Sequence, residues 1–346
     1  MPEHAPHAAA AVPQEVLREL DAWNHVVLIG HVVPDADCLG SMFALAGALT
    51  DGGGRVATVS LPEHSLSQRL AFLWERSALR AADADDFARA DGFIVVDTAK
   101  KPRCNVAKHL PEDWAGGRPL MNIDHHSSNT RFGTINWIVP EASSTCELVY
   151  AILRARGRPI SPWTASLLFA GIHSDTGGFS LAPTTSGALA AASDLVAAGA
   201  DVAELGERLC RSQRLSEFKL LRTVYANTTL AAGGRIAYST ADHEEIVGAG
   251  CSAADIDDQV SVPRALNGVR LALLFTEGVK GKTRINFRGE PGVPVLELAA
   301  LFGGGGHSES AGAVVTGPLP EVVARVLPKA EEHLDRIEGR PLEKAV

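Results

Sequence analysis

Residues 25–41 read HVVLIGHVVPDADCLGS. The first part, residues 25–30, is a short β-branched and aliphatic run, which is typical of a strand buried on both faces. The chain then turns polar, and acidic and imidazole side chains follow directly after the predicted strand. A helical pattern runs from residue 39 to 50. The stretch therefore predicts a strand, a polar loop and a helix, which together form the repeating unit of an α/β fold.

The same alternation continues along the chain. Further strands are predicted at 55–60, 93–96 and 120–123, and further helices at 66–74, 144–156, 163–172, 186–198, 202–211 and 215–228. Strands that alternate with helices indicate a parallel sheet covered on both faces.

A second pattern begins after residue 234. Strands are predicted at 235–239, 269–276, 282–288 and 312–315, with helices at 295–302 and 321–337. This pattern is typical of a smaller mixed α/β domain, and the length of 346 residues suits two domains. We expect a catalytic domain over 1–198, a helical linker over 199–230 and a second domain over 231–346, with the active site in the cleft between the domains.

Composition restricts the possible partners. The net charge of −9 argues against a protein that holds long nucleic acid through backbone charge. It permits a small anionic substrate if metal ions and nearby basic residues reverse the local field.

Cysteine usage and the N-terminus bear on location. The five cysteines are scattered, are odd in number and form no CxxC pair, which favours a reduced, cytoplasmic protein. The Ala-rich start lacks the basic and apolar regions of a signal peptide, and no apolar stretch is long enough to span a membrane.

Acidic and histidine residues are concentrated where predicted strands end. They comprise His31, Asp35 and Asp37 after the first strand, Asp97 after another, Asp124, His125 and His126 after a third, and Asp175 at the end of an apolar helix. The carboxyl ends of parallel strands meet at one edge of a sheet, so these groups should converge. Converging carboxylates repel each other unless a cation lies among them. Oxygen and imidazole ligands favour Mn²⁺ over a structural zinc site, and there are enough of them for two ions.

Simpler interpretations exist for each residue alone. Asp37 could cap the following helix, Asp175 could close a turn with Gly177, and a single histidine is more often a hydrogen-bonded imidazole than a ligand. The glycine run at 303–306 could be only a helix stop. Caps explain poorly why so many such residues share one sheet edge.

Four ordered motifs resemble those of the DHH phosphoesterase superfamily. They are HVVPDADCLGS at 31–41, VD at 96–97, DHH at 124–126 and SDTG at 174–177. FGGGGH at 302–307, followed by AG at 311–312, resembles the signature of the DHHA1 substrate domain. Size and domain pairing are most similar to the nanoRNase and 3′-phosphoadenosine 5′-phosphate (pAp) phosphatase group.

The resemblance implies a two-manganese site, for which Mg²⁺ could substitute. One ion would be held by His31, Asp35 and Asp97, and the other by Asp37, Asp97, His125 and Asp175. Asp97 would bridge the two ions, Asp124 would support its neighbours, and His126 would face the substrate phosphate. The family pattern commonly has Asn and Gly where this chain has Val33 and Ala36, and neither position supplies a ligand.

Substrate contacts are implied in both halves of the chain. They are Arg103, Arg288, Gly304, Gly305, Gly306 and His307. The Ser143-Ser144-Thr145 turn opens a helix, and its N–H groups could hold an anion. Glu309, near the glycine run, would repel a phosphate there.

The expected activity is hydrolysis of very short oligonucleotides, such as nanoRNA and pApA, to nucleoside monophosphates, and of pAp to AMP. Three alternatives share some of these features: a RecJ-type DNA exonuclease, an inorganic pyrophosphatase or exopolyphosphatase, and a nucleotide sensor without catalysis. A homodimer is compatible with the sequence.

Overall fold

The computed structural model describes residues 11–51, 53–61, 66, 68–106, 113–252, 259–306 and 308–340. The chain divides into two compact units, Met1–Ser212 and Gln213–Val346. Among the helices in those described ranges, none is both long and apolar enough to cross a membrane.

The first unit is an α/β domain. Its elements are α1 (Gln14–Ala22), β1 (His25–Ile29), α2 (Ala36–Thr50), β2 (Val56–Ser60), α3 (Gln68–Glu75), α4 (Ala84–Arg89), β3 (Gly92–Val96), a 3-10 turn (Lys101–Arg103), β4 (Leu120–Asp124), β5 (Ile135–Ile138), α5 (Thr145–Ala155), α6 (Pro162–Asp175), α7 (Ser186–Ala197) and α8 (Val202–Cys210).

The strands of this unit lie in the order β2-β1-β3-β4-β5, and all the pairings are parallel. The predicted parallel sheet is therefore confirmed. The chain leaves β1 for β2 on one side and returns to β3 on the other side. Ligands in open α/β sheets bind where the strand order reverses in this way, at the carboxyl ends of the strands. The fold thus places the loops after β1 and β3 side by side at such a position.

Two glycines allow α2 and α6 to approach closely. A Cβ at Gly40 would lie 2.5 Å from the carbonyl oxygen of Leu167, and a Cβ at Gly171 would lie 2.7 Å from Oδ1 of Asp37. Larger residues at either position would push the two helices apart. The close approach matters for the site because α6 ends at Asp175, while Asp37 lies in the first turn of α2.

The second unit is a mixed α/β domain, as predicted. Its elements are α9 (Leu215–Ala226), β6 (Thr229–Ala231), a 3-10 turn (Ala232–Gly234), β7 (Ile236–Ala241), α10 (His243–Gly248), α11 (Ser261–Arg264), β8 (Leu271–Val279), β9 (Lys282–Gly289), α12 (Leu296–Ala300), β10 (Gly305–Gly306), β11 (Ser310–Thr316) and α13 (Leu319–Glu338).

The strand order in this unit is β10-β11-β9-β8-β7-β6, with β7 and β8 parallel and the other pairs antiparallel. Strand β8 alternates between two cores. Leu271, Leu273 and Phe275 pack on the side of α12 and α13, whereas Ala272 and Leu274 pack on the side of α9, α10 and α11. The sheet is therefore covered on both faces.

The predicted linker, residues 199–230, contains the division between the units. Leu205 and Leu209 of α8 are buried in the core of the first unit, whereas Leu220 and Val224 of α9 are buried in the second. These helices are parts of the two cores, each anchored by its own apolar face.

Candidate active site

The polar residues predicted to converge do come together. His31 follows β1, Asp97 follows β3, and Asp175 ends α6. Nε2 of His31 lies 3.4 Å from Oδ2 of Asp97, and Nε2 of His125 lies 3.2 Å from Oδ2 of Asp175. The same nitrogen of His125 lies 3.6 Å from Oδ1 of Asp97 and 3.8 Å from Oδ2 of Asp37.

Asp97 occupies the middle of this cluster. Its Oδ2 faces His31, and its Oδ1 faces His125, His126 and the hydroxyl of Thr145. It is 2% exposed and has φ of 51°, in the left-handed region that few residues other than glycine adopt. Backbone strain of this kind persists where the surrounding structure imposes it, often at functional sites.

Asp35 and Asp37 have different structural roles. Asp35 is the N-cap of α2, and its Oδ1 accepts the N–H groups of Asp37 and Cys38 at 3.1 and 3.0 Å. Its Oδ2 is 3.9 Å from Nε2 of His31. The alternative in which Asp37 caps α2 is therefore wrong, because the residue two positions earlier performs that role.

Asp37 is fully buried and is held by the beginning of α5. Its carboxylate accepts the N–H groups of Thr145 and Cys146 at 2.7 and 2.8 Å. These first-turn N–H groups lack partners within the helix, and the positive end of the helix dipole favours an anion there. The prediction that this turn uses its N–H groups on an external anion is contradicted for these two, because the anion they hold is Asp37.

The tautomers of the paired histidines follow from their hydrogen bonds. Nδ1 of His125 donates to the carbonyl oxygen of Ala142 at 3.3 Å, which leaves the lone pair of Nε2 directed toward the carboxylates. Nδ1 of His126 donates to Oδ1 of Asp124 at 2.7 Å. His125 is thus oriented as a ligand, and the ring of His126 is fixed by Asp124.

A polar network behind Asp124 was not found from the sequence. Oδ2 of Asp124 accepts the side-chain amide of Asn129 at 2.6 Å, and the same amide donates to Oδ1 of Asn122 at 2.8 Å. Asn122 is fully buried in β4. A polar residue within the apolar segment LMNID was the available signal, since buried polar groups are almost always paired.

Two thiols also lie at the site. Cys38 and Cys146 are completely buried, and Sγ of Cys38 accepts the backbone N–H of His31 at 3.4 Å. Burial raises the pKa of Cys38 to about 11, even though His31 lowers it. In the sequence these two cysteines are only scattered residues, because their proximity to the site depends on the folding of α2 and α5.

The cluster carries more buried negative charge than its protein partners neutralise. Burial and the charge of Asp37 raise the pKa of Asp97 well above its usual value. The same two causes raise the pKa of Asp175 to about 7, although His125 lowers it. Burial would lower the pKa of His125, but the hydrogen bond and charge of Asp175 raise it well above the usual value.

These features fit divalent metal ions. Ligand atoms lie within 4.8 Å of one another in three groups: His31, Cys38 and Asp97; Asp97, His125 and His126; and Asp37, His125 and Asp175. Asp97 and His125 each occur in two groups, so the ligand sets are contiguous. Carboxylate oxygen with imidazole nitrogen suits Mn²⁺ and its neighbours in hardness. A bound cation would also relieve the repulsion that raises the pKa values of Asp97 and Asp175.

Arg103 is the predicted substrate contact nearest this cluster. It is exposed in the 3-10 turn after β3, and its carbonyl oxygen accepts the N–H of Val32. Burial lowers the pKa of His31 and the charge of Arg103 lowers it further, but its neighbours Cys38 and Asp35 raise it, to about 9 overall. The guanidinium is therefore close enough to act electrostatically on the site.

The other predicted substrate contacts belong to the second unit. Nη1 of Arg288 donates to the carbonyl oxygen of Phe287 at 3.1 Å. Gly305 and Gly306 form β10, which pairs with Gly312 and Ala311 of β11. A Cβ at Gly304 would lie 2.3 Å from the carbonyl oxygen of Gly312, so this glycine also allows close strand packing. His307 lies outside the described residues, and a phosphate-binding role for this segment stays a prediction.

Comparison with known proteins finds a matching family domain and similar chains. Residues 25–172 match the model of the DHH family, N-terminal domain. A bifunctional oligoribonuclease and PAP phosphatase NrnA from Thermus thermophilus is 29% identical over 326 residues, which cover 93% of both chains.

Two solved structures have folds similar to that of this chain. An exopolyphosphatase-related protein from Bacteroides fragilis has a TM-score of 0.85 at 22% identity, covering 96% of this chain and 100% of that one. RecJ in complex with Mn²⁺ from Thermus thermophilus has a TM-score of 0.50 at 17% identity, covering 95% of this chain and 56% of that one. The motifs, the sheet order and these similarities agree that residues 25–172 match the N-terminal domain of the DHH family.

Proposed function

We propose that the chain is a two-metal, manganese-dependent phosphoesterase that hydrolyses very short oligonucleotides to nucleoside monophosphates and pAp to AMP. The position of Asp97 carries this proposal. One of its carboxylate oxygens faces His31, and the other faces His125. A buried carboxylate with ligand groups on both sides is the arrangement that a bridged pair of ions requires.

We propose the two ligand sets that the family resemblance implies, and the contacts of Asp97 and His125 support them. His31, Asp35 and Asp97 would hold one ion, and Asp37, Asp97, His125 and Asp175 would hold the other. Paired divalent ions would supply Lewis-acid polarisation of the phosphoryl group and activation of water near neutral pH. The half-exposed carboxylate of Asp35 places the first set nearer to solvent, from which substrate must enter.

His126 is suited to the transferring phosphoryl group. Asp124 accepts the hydrogen on Nδ1 and fixes the ring, and we assign proton exchange with the substrate to the other ring nitrogen, Nε2. In this role His126 would donate to a phosphate oxygen or to the departing oxygen. Arg103, whose charge reaches His31, would hold a phosphate oxygen at the exposed side of the site.

The substrate class rests on two observations. The chain is acidic overall, which disfavours long nucleic acid held by backbone charge. The Thermus relative, which is similar along nearly the whole chain, is named for activity on oligoribonucleotides and PAP. Both favour a short substrate, and Arg288 and the glycine segment of the second unit stay predicted substrate contacts.

A substrate panel tests the proposal. Purified protein with Mn²⁺ is offered pAp, pApA, RNA of two to five nucleotides, long single-stranded DNA, pyrophosphate and polyphosphate. We expect turnover of the short nucleotides and its loss in excess EDTA, with Mn²⁺ restoring more activity than Mg²⁺. Full activity in EDTA would exclude the metal mechanism, and preference for polyphosphate or long DNA would favour the alternative enzymes.

A second comparison separates chemistry from recognition. A small diester such as bis-p-nitrophenyl phosphate is too short to require contacts at the far end of a nucleotide. Arg288→Ala and His307→Ala should leave its hydrolysis nearly intact but reduce kcat/KM for pApA, by about 1.5–3 kcal/mol each for a lost charge-assisted hydrogen bond. His125→Ala should impair both substrates alike. Equal losses on both substrates for Arg288→Ala would assign that residue to the fold.

The cysteines bear on the proposed location. Cys38, Cys104, Cys146 and Cys251 are buried as free thiols, and Cys210 is exposed as one. Free thiols persist in a reducing compartment, which supports our inference that the protein works in the cytoplasm.

A further inference from the structure

A polar cavity lies in the first unit, away from the metal-ligand cluster. It has a volume of about 320 Å³ and lies between α1 and the C-terminal end of α5. Its lining consists of Gln14, Leu17, Arg18, Asp21, Ala155, Arg156 and Arg158. The residues of α5 that contact Asp37 and Asp97 lie at the other end of the helix, about 16 Å away by the helical rise.

The guanidinium of Arg156 is incompletely satisfied. Its side chain is 5% exposed, and Nη2 donates to Oδ1 of Asp21 at 2.5 Å. Nη1 is buried and has no hydrogen-bond partner within the described residues. A buried charged group with an unused donor is costly unless another acceptor is supplied.

Positive charge dominates the cavity walls. Arg18, Arg156 and Arg158 face a single carboxylate, that of Asp21, which is 62% exposed. Arg18 forms an exposed pair with the neighbouring Glu19, which does not line the cavity. A cationic cavity on a chain of net charge −9 is contrary to the general field of the protein.

We propose that this cavity binds the phosphate group of a small molecule, either inorganic phosphate or a phosphomonoester, with Arg156 and Arg158 as its principal contacts. The planar guanidinium fork matches the oxygens of phosphate, and Arg158 presents its fork from an exposed position on the cavity wall. The helix ends here with its carbonyl groups, so side chains rather than backbone N–H groups would hold the anion. The proposal does not depend on the phosphoesterase activity.

Binding to the whole 346-residue chain in EDTA tests the proposal without metal-assisted binding at the catalytic cluster. Inorganic phosphate and AMP are titrated separately by calorimetry. Arg158→Gln should weaken binding about fivefold, the effect of one exposed ion pair of about 1 kcal/mol. Asp21→Asn should tighten binding, because it removes the competing anion while keeping an oxygen for Nη2 of Arg156. Arg154→Gln, an exposed change on α5 outside the lining, should have no effect.

The direction in which each variant changes the affinity for phosphate and AMP decides whether the proposal holds. Arg158 and Asp21 are exposed, so both variants should fold, whereas Arg156→Gln can be interpreted only if its unfolding temperature is retained. AMP binding that is tighter than phosphate binding and is weakened by Arg158→Gln would identify a phosphomonoester site, and equal, Arg158-dependent binding of the two would identify a site for the ion itself. Absence of binding, or equal dissociation constants for the wild type, Arg158→Gln and Asp21→Asn, would overturn the proposal.

Discussion

Asp97 combines a strained backbone with a buried charge. Its φ of 51° costs a residue with a side chain about 1–2 kcal/mol. Burial and the charge of Asp37 also raise its pKa, so the carboxylate destabilises the metal-free fold. Both costs suit a residue kept for function rather than for stability.

Asp97→Asn should therefore separate activity from stability. Asn tolerates the left-handed region and carries no charge, so the unfolding temperature in EDTA should stay equal or rise. Activity should fall about a hundredfold or more, because a positioned charge is lost from the metal site. Asp37→Asn should lose less activity but lower the unfolding temperature, because two N–H groups of α5 lose their carboxylate.

The control for this pair is Asp85→Asn, an exposed change on α4. Asp91 is unsuitable, since its carboxylate accepts the N–H groups of Asn24 and His25. Near wild-type turnover by Asp97→Asn would show that it does not bridge metal ions.

Asn129 positions the dyad of Asp124 and His126 from behind. Asn129→Ala should lower kcat about tenfold, since one hydrogen bond to a charged group is lost and the ring of His126 is less well held. KM and the number of Mn²⁺ ions bound should not change. Asn227→Ala, at a partly buried amide in the second unit, is the matched control. A parallel loss of bound metal would assign Asn129 to the metal site instead.

Residues at strand ends could be predicted from sequence, whereas their supporting partners could not. His31 and Asp97 were recognisable because each follows an apolar strand of a parallel sheet. Thr145 donates to Asp97 across 48 residues of sequence, and no local pattern encodes that contact. The position of the Cys38 thiol beside His31 could not be predicted for the same reason.

At the scale of elements, α5 connects the two sites described above. Its first residue, Thr145, follows the N-cap Ser144, whose extended backbone is compatible with a following proline. Proline is well tolerated at this position, where the N–H has no partner within the helix. In this protein, however, the N–H of Thr145 is used by Asp37.

Thr145→Pro should thus retain α5 but weaken the site. We expect a loss of about 1.5–3 kcal/mol in Mn²⁺ binding or transition-state stabilisation, with little change in helix content by circular dichroism. Thr145→Val, which keeps the N–H and removes only the hydroxyl, should lose less. If both variants lose the same amount, the hydroxyl bond to Asp97 is the important contact.

Long periodic elements were predicted well, and short ones were missed. Helix α2 begins at Ala36 instead of residue 39, because Asp35 caps it earlier than the apolar pattern indicates. Strand β5 has four residues, too few for alternation to establish a period. Gly305–Gly306 form a strand only because β11 lies beside them, since glycine has no intrinsic preference for that conformation.

At the scale of the whole molecule, metal binding should be linked to protons. The pKa of His31 is raised to about 9, so its stabilising charge is fully present below its unfolded pKa and is lost as pH rises through 9. The pKa of Asp175 is raised to about 7, so stability also falls as pH rises from about 4 through 7. Burial raises the pKa of Asp124, but the hydrogen bond and charge of His126 lower it overall. This carboxylate therefore stabilises the fold, and that stabilisation is lost only at more acid pH.

The unfolding temperature in EDTA should therefore fall between about pH 6 and 9, the range that contains these two values. The increase produced by Mn²⁺ should grow over the same range, because metal binding displaces the protons. His31→Gln should make the decline in EDTA shallower. A Mn²⁺ effect that is constant with pH would contradict the linkage.

The class of the fold and the presence of two units were predictable from the order of strands and helices. The boundary between units was only approximate, since α8 and α9 have similar helical patterns but bury their apolar faces in different cores. No amphipathic pattern specifies which core a helix will join.

The approach of α6 to α2 through Gly40 and Gly171 has a consequence for biosynthesis. A ribosome makes Asp37 and Asp97 well before Asp175, the last of the proposed ligands. The proposed metal site would therefore be complete only after α6 has left the exit tunnel and docked on α2. Metal capture would then mark the end of folding of the first unit in the nascent chain. Ribosomes can be stalled so that the nascent chain emerges either without α6 or with it. These two nascent chains should differ in Mn²⁺-dependent resistance to protease. Equal resistance would mean that the site forms without its last ligand.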